Sequence, residues 1–297
     1  MERRAAVIVT YRPDASVFQR IDTLARQVDV LYVVDNTPET EAVQPLPWPE
    51  HVTFERNFNE GGLAGALNIA LQRVRAAGVR YFFIFDQDTD LAPGFCQDML
   101  DAALALNDPT WAIAGPRHVN SSTGHPVRLS VPGHFMNSFW PKSDSGVVEC
   151  LALINSCSLL DLERVPRSLR YDEVLAIDMI DIDFCLAVRA AGWKMLCIPS
   201  ITVAHGIGNR KKGSFAFSAT NYNSHRKYLQ TRNRIAVWRK FGSVEMAYVM
   251  TDAIIWFADA LRTVVLEVDR LDKIKAISRG IKDGFQIRTA HAPESLR

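Results

Sequence analysis

The sequence predicts an α/β fold: a mostly parallel sheet with helices on both faces, followed by a C-terminal helical tail. Two observations lead to this prediction. Apolar runs typical of buried strands alternate with helical patterns through the first two thirds of the chain, and such alternation builds parallel sheets. From about residue 221 onward only helical periodicity remains. The 297 residues, 48% of them hydrophobic, are enough for one large core with an appendage.

The N-terminal half contains the elements that begin the sheet. Runs of β-branched and aromatic residues bounded by turn residues are typical of strands, and helices follow where the apolar period lengthens. The Pro-rich stretch 38–49 breaks both patterns and is expected to be a loop. We expect strands at 5–10, 30–34, 52–55, 81–85 and 111–114, and helices near 16–27, 63–77 and 93–106.

The C-terminal half completes the sheet and then changes character. Residues 115–150 are rich in Gly, Pro, Ser and His, which predicts loops and a hairpin over the face that carries the candidate site. We place a boundary between a core domain, 1–218, and a helical region, 219–297. The remaining elements are a buried strand pair in 149–161, a helix at 177–191, strands at 194–198 and 202–204, and helices at 221–240, 244–269 and 272–284.

The cysteines and the N-terminus indicate a cytoplasmic protein. The five cysteines are odd in number and include no Cys-x-x-Cys pair, which favours reduced, buried thiols over a disulfide framework or a zinc site. The chain enters a strand directly after Met1-Glu2-Arg3-Arg4, so we expect no signal peptide. No uncharged apolar run is long enough to span a bilayer.

The charge is unevenly distributed along the chain. Residues 1–204 carry 17 basic and 25 acidic side chains, whereas residues 205–297 carry 17 basic and 8 acidic ones. Within 205–240 there are nine Lys or Arg and no Asp or Glu. An excess of this kind predicts an anionic partner, such as a phosphate group, a nucleic acid or a membrane surface, although an ordinary solvated basic face has the same composition.

Polar side chains follow several of the predicted strands. Asp86 and Asp88 end the apolar run 81–85, and Thr10, Asp35 and Asn59 follow three other strands. Ligands of open α/β sheets bind beyond the carboxyl ends of the strands, where carboxylates suit a divalent cation that carries phosphates. The alternatives are a solvated acidic turn and helix caps. The G-x-G-x-x-G pattern is absent, which disfavours a nicotinamide cofactor.

Several segments, taken in order, resemble a known family. They are Val9-Thr10-Tyr11-Arg12-Pro13, Val33-Val34-Asp35-Asn36, the stretch Asn59–Asn68 with Gly61 and Gly62, Asp86-Gln87-Asp88, Ile177–Leu186, Gly192-Trp193, His205-Gly206-Ile207-Gly208, and Tyr228 with Arg232-Asn233. Over roughly 5–240 the chain resembles the family 2 glycosyltransferases of the GT-A fold, and most closely the bacterial rhamnosyltransferases.

The resemblance implies a site for a nucleotide sugar and a Mg²⁺ or Mn²⁺ ion. Asp86 would contact the ribose, and Asp88 would ligate the metal between the two phosphates, with His205 as a further metal or phosphate ligand. The remaining contacts to the donor nucleotide would come from Thr10, Tyr11, Arg12, Asp35, Asn59, Asn68 and Arg232. The alternative for the two asparagines is a role in a turn or a helix cap. The alternative for Arg232 is that it is an ordinary residue of a basic helix.

The resemblance also implies a catalytic base. Asp181 matches it, and Asp178 remains a rival because Ile180 stands where the family usually has a Glu before the Asp. The carboxylates of Asp178, Asp181 and Asp183 lie close in sequence, and their repulsion is expected to raise at least one pKa. Capping of the following helix is the structural alternative.

The implied reaction is inverting, metal-dependent transfer of L-rhamnose from dTDP-rhamnose to a bacterial cell-surface glycan, such as an O-antigen, or to a lipid-linked acceptor, with no role for nucleic acid. Transfer of another sugar from UDP or dTDP, nucleotidyl transfer and non-catalytic binding remain alternatives. The apolar residues in 247–266 are interrupted by Asp252, Asp259 and Arg262. This helix therefore packs on the core or on a second subunit, or rests on the inner face of the cytoplasmic membrane.

Overall fold

The computed structural model describes residues 3–40, 49–121, 123–140, 146–205 and 222–290. The strands in these ranges are β1 (Arg4–Thr10), β2 (Val30–Asp35), β3 (Val52–Arg56), β4 (Tyr81–Asp86), β5 (Trp111–Asn120), β6 (Leu129–Val131), β7 (Ser138–Trp140), β8 (Val148–Cys150), β9 (Ser158–Asp161) and β10 (Lys194–His205). The helices are α1 (Ala15–Ala25), α2 (Gly62–Ala76), α3 (Phe95–Ala105), α4 (Ile180–Ala190), α5 (Ser224–Phe241), α6 (Met246–Leu266) and α7 (Arg270–Gln286).

Eight of these strands form one sheet in the order β3-β2-β1-β4-β9-β5-β10-β8. Strands β3, β2, β1 and β4 run parallel to one another, as do β5 and β10. Only β9 and β8 run antiparallel to their neighbours in this sheet. Thr10 pairs with Asp35, and Val9 pairs with Asp86, so three candidate residues lie together at the carboxyl edge.

Successive residues of the strands point to opposite faces of the sheet, and each face packs against its own hydrophobic core. Ala5, Val7 and Val9 pack with α2 and α4, whereas Ala6 and Ile8 pack with α1 and α3. The period-two alternation of a strand buried on both faces explains why these segments are apolar throughout. All five cysteines are buried and free, as the sequence predicted.

The expected elements are present, but several boundaries differ. Strand β5 continues to Asn120, where a loop was expected, because the single long strand β10 pairs with it through a register shift after Ile198. The expected hairpin is β6–β7. Strands β8 and β9 both form, but each pairs with other strands and not with the other.

The C-terminal helices are joined to the core. Helix α7 lies so close to α5 that a Cβ at Gly280 or Gly284 would come within 2.8 Å of α5 backbone oxygens. Beyond α7, the Ala290 N–H donates a hydrogen bond to the Asp172 carboxylate of the core at 2.7 Å. The expected boundary at 218 lies outside the described residues. None of the described helices combines the length and apolar character needed to cross a bilayer.

Candidate active site

The carboxyl ends of β1 and β4 are tied together by the glutamine between the two aspartates. The Tyr11 N–H donates to the Gln87 side-chain oxygen at 2.7 Å, and the Gln87 amide donates back to the Tyr11 carbonyl at 3.2 Å. The Asp86 N–H donates to the Ser156 hydroxyl at 3.3 Å, which anchors the same turn to the segment before β9. These contacts fix the backbone from which Asp86 and Asp88 project.

Three carboxylates share this edge of the sheet. The pKa of Asp86 is raised to about 6, first by burial and then by the negative charges of Asp88 and Asp181. Asp181 lies 95 residues farther along the chain, so its electrostatic effect on Asp86 depends on the fold, which brings the two carboxylates near each other. A concentration of negative charge of this kind is what a divalent cation neutralises.

The donor set fits a divalent metal ion. Within the part of the chain that the structure describes, neither Asp86, Asp88 nor Asp181 forms an ion pair, and the exposed Asp88 carboxylate accepts no hydrogen bond. The same residues contain no ready-made group of three or more metal-ligating side chains. His205 ends β10 beside Asn120, but its side chain is outside what the structure describes.

Asp181 lies in the first turn of α4. The helix begins at Ile180 and not at 177, because Ala176, Asp178 and Met179 have φ values of 59°, 57° and 68° and form a sharp left-handed turn. The Ile182 N–H donates to the Asp181 carboxylate at 2.8 Å. Burial outweighs this bond and raises the Asp181 pKa to about 6. A carboxylate with such a pKa can accept a proton near neutral pH.

Asp178 differs from Asp181 because its charge is paired. Arg226 of α5 donates to both of its oxygens, at 3.3 and 3.1 Å. The repulsion expected from the sequence is present, but Asp178 is a smaller cause of the raised Asp181 pKa than burial. The ion pair thus distinguishes Asp178 from Asp181, and the choice between them as base stays a prediction.

Arg232 supports the loop that leads to these aspartates. Its guanidinium donates to the Val174 carbonyl and to the Asn233 side-chain oxygen, both at 2.8 Å. The Asn233 amide then donates to the carbonyls of Leu175, Ile177 and Asp178 at 2.7 to 3.0 Å. A contact between Arg232 and the donor phosphates stays a prediction.

Asp35 is wholly enclosed by protein. Its carboxylate accepts hydrogen bonds from the hydroxyls of Thr10 and Thr37, at 2.8 and 2.9 Å, and Arg56 lies 3.7 Å away. Its side chain has no exposed surface. In this arrangement Asp35 positions Thr10 and the turn after β2, and direct contact with a nucleotide base stays a prediction.

The other candidate donor contacts lie on exposed turns. Tyr11 and Arg12 are exposed after β1, with the Arg12 guanidinium 5.0 Å from the centre of the Tyr11 ring. Asn59 is exposed in a left-handed turn, φ 63°, that precedes α2. These three side chains border the carboxyl edge where a donor would bind, and their contacts with it stay predictions.

The Asn68 side chain connects α2 to the loop before α4 through hydrogen bonds. Its amide donates to the Tyr171 carbonyl and to Glu173, and its oxygen accepts the Tyr171 N–H at 2.8 Å. It also lines a cavity of about 440 Å³ with Gln72 and Arg75, and the described lining residues do not include the three carboxylates. The proposed contact of Asn68 with the donor is untested.

The sequence matches the model of a known family. Residues 5–160, more than half of the chain, match glycosyl transferase family 2. The chain belongs to this family. It is also 24% identical over 238 residues to the dTDP-rhamnosyl transferase RfbF of Shigella flexneri, a match that covers 79% of each chain. The predicted relationship to rhamnosyltransferases is thereby confirmed.

A solved structure confirms the GT-A fold of this glycosyltransferase. GalNAc-T7, solved with UDP, GalNAc and Mn²⁺, superposes with a TM-score of 0.58 at 13% identity and covers 95% of this chain. This chain spans 55% of the length of GalNAc-T7. TarS 1–349 of S. aureus is a more distant match, with a TM-score of 0.48 and 12% identity, and the match covers 97% of this chain and 72% of TarS 1–349.

Four side chains of this glycosyltransferase are at the site although they were not among the sequence candidates. Gln87 and Asn233 stood inside matching motifs but were assigned no role. Arg226 was one of many basic residues, and only the fold brings it to Asp178. Tyr248 of α6 is buried close enough for Asp181 to add to the raised pKa of its hydroxyl. No local pattern distinguishes such a tyrosine from a core residue.

Proposed function

We propose that this family 2 glycosyltransferase transfers L-rhamnose from dTDP-L-rhamnose, with inversion, to a hydroxyl group of a bacterial glycan or lipid-linked acceptor. The observation that carries the proposal is that the fold brings the carboxylates of Asp86 and Asp88 near Asp181. The Asp181 carboxylate forms no ion pair among the described residues. Similarity to a dTDP-rhamnosyl transferase supports the choice of donor.

The reaction would be an in-line displacement at the anomeric carbon. The acceptor oxygen forms a bond to this carbon as the bond to the diphosphate oxygen breaks, and the configuration inverts. Asp181 takes the acceptor proton, and dTDP leaves with the bonding electrons. The raised Asp181 pKa of about 6 matches this task, since the carboxylate is ionised at pH 7 yet basic enough to accept a proton.

Asp88 and His205 are the residues that would hold Mg²⁺ or Mn²⁺, and Asp86 would contact the ribose of the donor. When bound, the ion supplies Lewis-acid stabilisation of the charge that grows on the departing diphosphate. The carboxylates of Asp86 and Asp88 lie at the strand ends with no counter-ion among the described side chains, which fits a cation site. Gln87 holds the backbone on which both aspartates depend.

A donor panel tests the proposal. The protein is incubated with dTDP-L-rhamnose, dTDP-glucose, UDP-glucose and UDP-N-acetylglucosamine, each with Mn²⁺ or with EDTA, and the released nucleotide is measured by chromatography. We expect Mn²⁺-dependent release of dTDP from dTDP-L-rhamnose. Faster turnover of another donor would assign a different sugar, and release of pyrophosphate from a nucleoside triphosphate would assign nucleotidyl transfer. Donor binding without turnover against any acceptor tried would favour a binding module.

A further inference from the structure

Helix α6 carries a continuous apolar stripe on its outer face. Large apolar side chains recur every three or four residues and are exposed, with 66% of Phe257 accessible to solvent. A helix of 21 residues is about 30 Å long, so the stripe is an extended surface. Its members on the helix are Met246, Met250, Ile254, Phe257, Leu261, Val264 and Val265, and Val268 follows directly after the helix.

The stripe is extended by the turn of the β6–β7 hairpin. The Asn137 N–H donates to the Thr251 hydroxyl of α6 at 2.8 Å, so the hairpin lies against this helix. At the turn, Phe135 is 90% exposed and Met136 is half exposed. Two separate elements therefore present apolar side chains side by side, and a patch of this kind on a soluble domain marks an interaction site.

The acidic side chains of α6 face inward. Asp252 accepts a hydrogen bond from Trp238 and pairs with Arg234 at 2.8 Å, and Asp259 pairs with the buried Lys227 at 2.9 Å. Glu267, just after the helix, is likewise buried against Lys227 and Lys273. The carboxylates of this region are thus neutralised inside the protein and leave the outer face without them.

The outer side of α7, beside the stripe, is basic and apolar. Leu271, Lys275, Lys282 and Phe285 follow one another at helical spacing and are exposed, and Arg270 and Arg279 are exposed as well. The exposed carboxylates of the same stretch are Asp269 and Asp272. Basic residues beside an exposed apolar stripe are the pattern of a surface that rests on anionic lipid.

We propose that the α6 face, defined as the α6 stripe, the β6–β7 turn and the outer side of α7, docks on an anionic membrane surface. The apolar side chains would enter the boundary between headgroups and acyl chains, and the lysines and arginines would meet the lipid phosphates. Lys275 of α7 lies 3.8 Å from Asp272, but Arg270, Arg279 and Lys282 form no ion pair among the described residues. A second copy of the chain would cover the stripe but would leave these three basic side chains without counter-charges. Charge complementarity therefore favours the membrane.

The proposed docking would hold the active site at the membrane. Tyr248, on the first turn of α6, lies close enough to Asp181 for that carboxylate to add to the raised pKa of the Tyr248 hydroxyl. The helix that carries the stripe thus also borders the proposed base. Docking does not depend on which donor or acceptor the enzyme uses, so vesicle binding tests it separately from the proposed function.

Vesicle flotation of the full-length protein is the test. Vesicles of phosphatidylglycerol and phosphatidylethanolamine in equal parts are compared with neutral phosphatidylcholine vesicles at increasing NaCl. We expect flotation with the anionic vesicles, weakened by salt, and little with the neutral ones. The double variant Phe257→Asp/Leu261→Asp is expected to stay at the bottom of the gradient, whereas the control Leu104→Asp, at an exposed site on α3, floats like the wild type.

A second pair of variants tests the charge. Lys275→Gln/Lys282→Gln is expected to partition roughly thirtyfold more weakly, because each basic residue near an anionic surface contributes about 1 kcal/mol. The control Arg3→Gln/Arg26→Gln removes the same charge from the exposed N-terminal region and is expected to change little. Circular dichroism and thermal unfolding check that each variant is folded.

Three outcomes would overturn the proposal. The first is a wild-type protein that floats with neither kind of vesicle. The second is equal loss of binding in the test and control variants, which would indicate non-specific charge attraction. The third is that the wild-type protein does not float and sediments as a dimer, whereas Phe257→Asp/Leu261→Asp sediments as a monomer. This result would assign the α6 face to contact with a second copy of the chain.

Discussion

At the scale of single residues, three neighbouring aspartates have three different environments. Asp178 is paired with Arg226, Asp183 is buried with both oxygens held by Lys240 at 2.8 and 2.9 Å, and Asp181 has neither kind of partner among the described residues. The pKa of Asp183 is also raised to about 6 by burial, yet its lysine contact makes it structural. Pairing, and not pKa alone, therefore separates the proposed base from its neighbours.

Replacement of the proposed base tests this separation. Asp181→Asn is expected to bind donor normally and to lose about 10²- to 10⁴-fold in transfer, because an amide cannot accept the acceptor proton. Asp178→Asn, which loses the ion pair with Arg226 but keeps one acceptor oxygen, is expected to keep most of its transfer activity. Calorimetry for binding and nucleotide release for transfer provide the measurements. Full transfer by Asp181→Asn would overturn the assignment of the base.

The pH dependence of transfer is expected to follow from Asp181, although Asp86, whose pKa is also raised to about 6, titrates in the same range. The base must be ionised, and its pKa is raised to about 6, so activity is expected to fall as the pH drops below about 6 and to be level above it. An unshifted aspartate would place this acid limb about two units lower. The profile of kcat/KM between pH 4.5 and 8, about the range in which such groups titrate, measures the limb. A level profile down to pH 5, roughly one unit below the raised pKa, would contradict the assignment.

The metal assignment depends on Asp88. Asp88→Ala is expected to abolish Mn²⁺-dependent transfer and to weaken dTDP binding, since a carboxylate between metal and phosphates is lost. Asp90→Ala is the matched control, because Asp90 is also an exposed carboxylate, lies two residues away and pairs with Arg20. Titration of Mn²⁺ by calorimetry in the presence of dTDP compares the two. Equal Mn²⁺ affinity in both variants would show that Asp88 is not a ligand of the metal.

At the scale of elements, the start of α2 determines where the loop before α4 lies. The N–H groups of Leu63 and Ala64, in the first turn of α2, point at the Ala176 carbonyl, at 2.8 and 3.4 Å. This approach requires glycine at 62, where φ is +62° and a Cβ would lie 2.5 Å from the Ala176 oxygen. The start of α2 and the loop before α4 are thus joined by backbone contacts, in addition to the side-chain bonds of Asn68.

A pair of glycine substitutions isolates this contact. Gly62→Ala and Gly78→Ala share a left-handed φ, +62° and +64°, but a Cβ at Gly78 meets nothing within 4 Å. Both variants have the conformational cost, and Gly62→Ala alone has the collision, so we expect it to lose roughly 1–3 kcal/mol more stability. Urea unfolding measures the difference. Equal midpoints would show that the loop accommodates the methyl group freely.

At the scale of the whole molecule, α5 connects the helical region to the catalytic core. Lys240 lies fully buried between Asp183 of α4 and Asp172 of the preceding loop, at 2.8 and 3.7 Å. Arg226 and Asn233 of the same helix hold Asp178 and its loop. The geometry around the proposed base therefore depends on the C-terminal region, although the family model matches only residues 5–160.

Removal of the buried lysine tests this dependence. Lys240→Met is expected to lower the free energy of unfolding by about 3–5 kcal/mol, because it leaves Asp183 and Asp172 buried without a counter-ion. Lys194→Met is the control, since Lys194 is 41% exposed and its carboxylate neighbours are 4.0 Å away. Its loss is expected to cost less than about 1 kcal/mol. Similar denaturation curves for both variants would contradict a structural role for Lys240.

The sequence by itself determined the α/β order, the carboxylates at the end of β4 and the family. Each of these depends on local signals, namely apolar period, turn residues and motifs in order. Only the tertiary structure decided which aspartate of the 178–183 segment is unpaired, because Arg226 and Lys240 lie 48 and 57 residues from their partners. It also decided that Asn68 and Arg232 hold loops, and that α6 turns its apolar side chains outward. Burial and ion pairing depend on which surfaces meet, and the local pattern of residues does not contain that information.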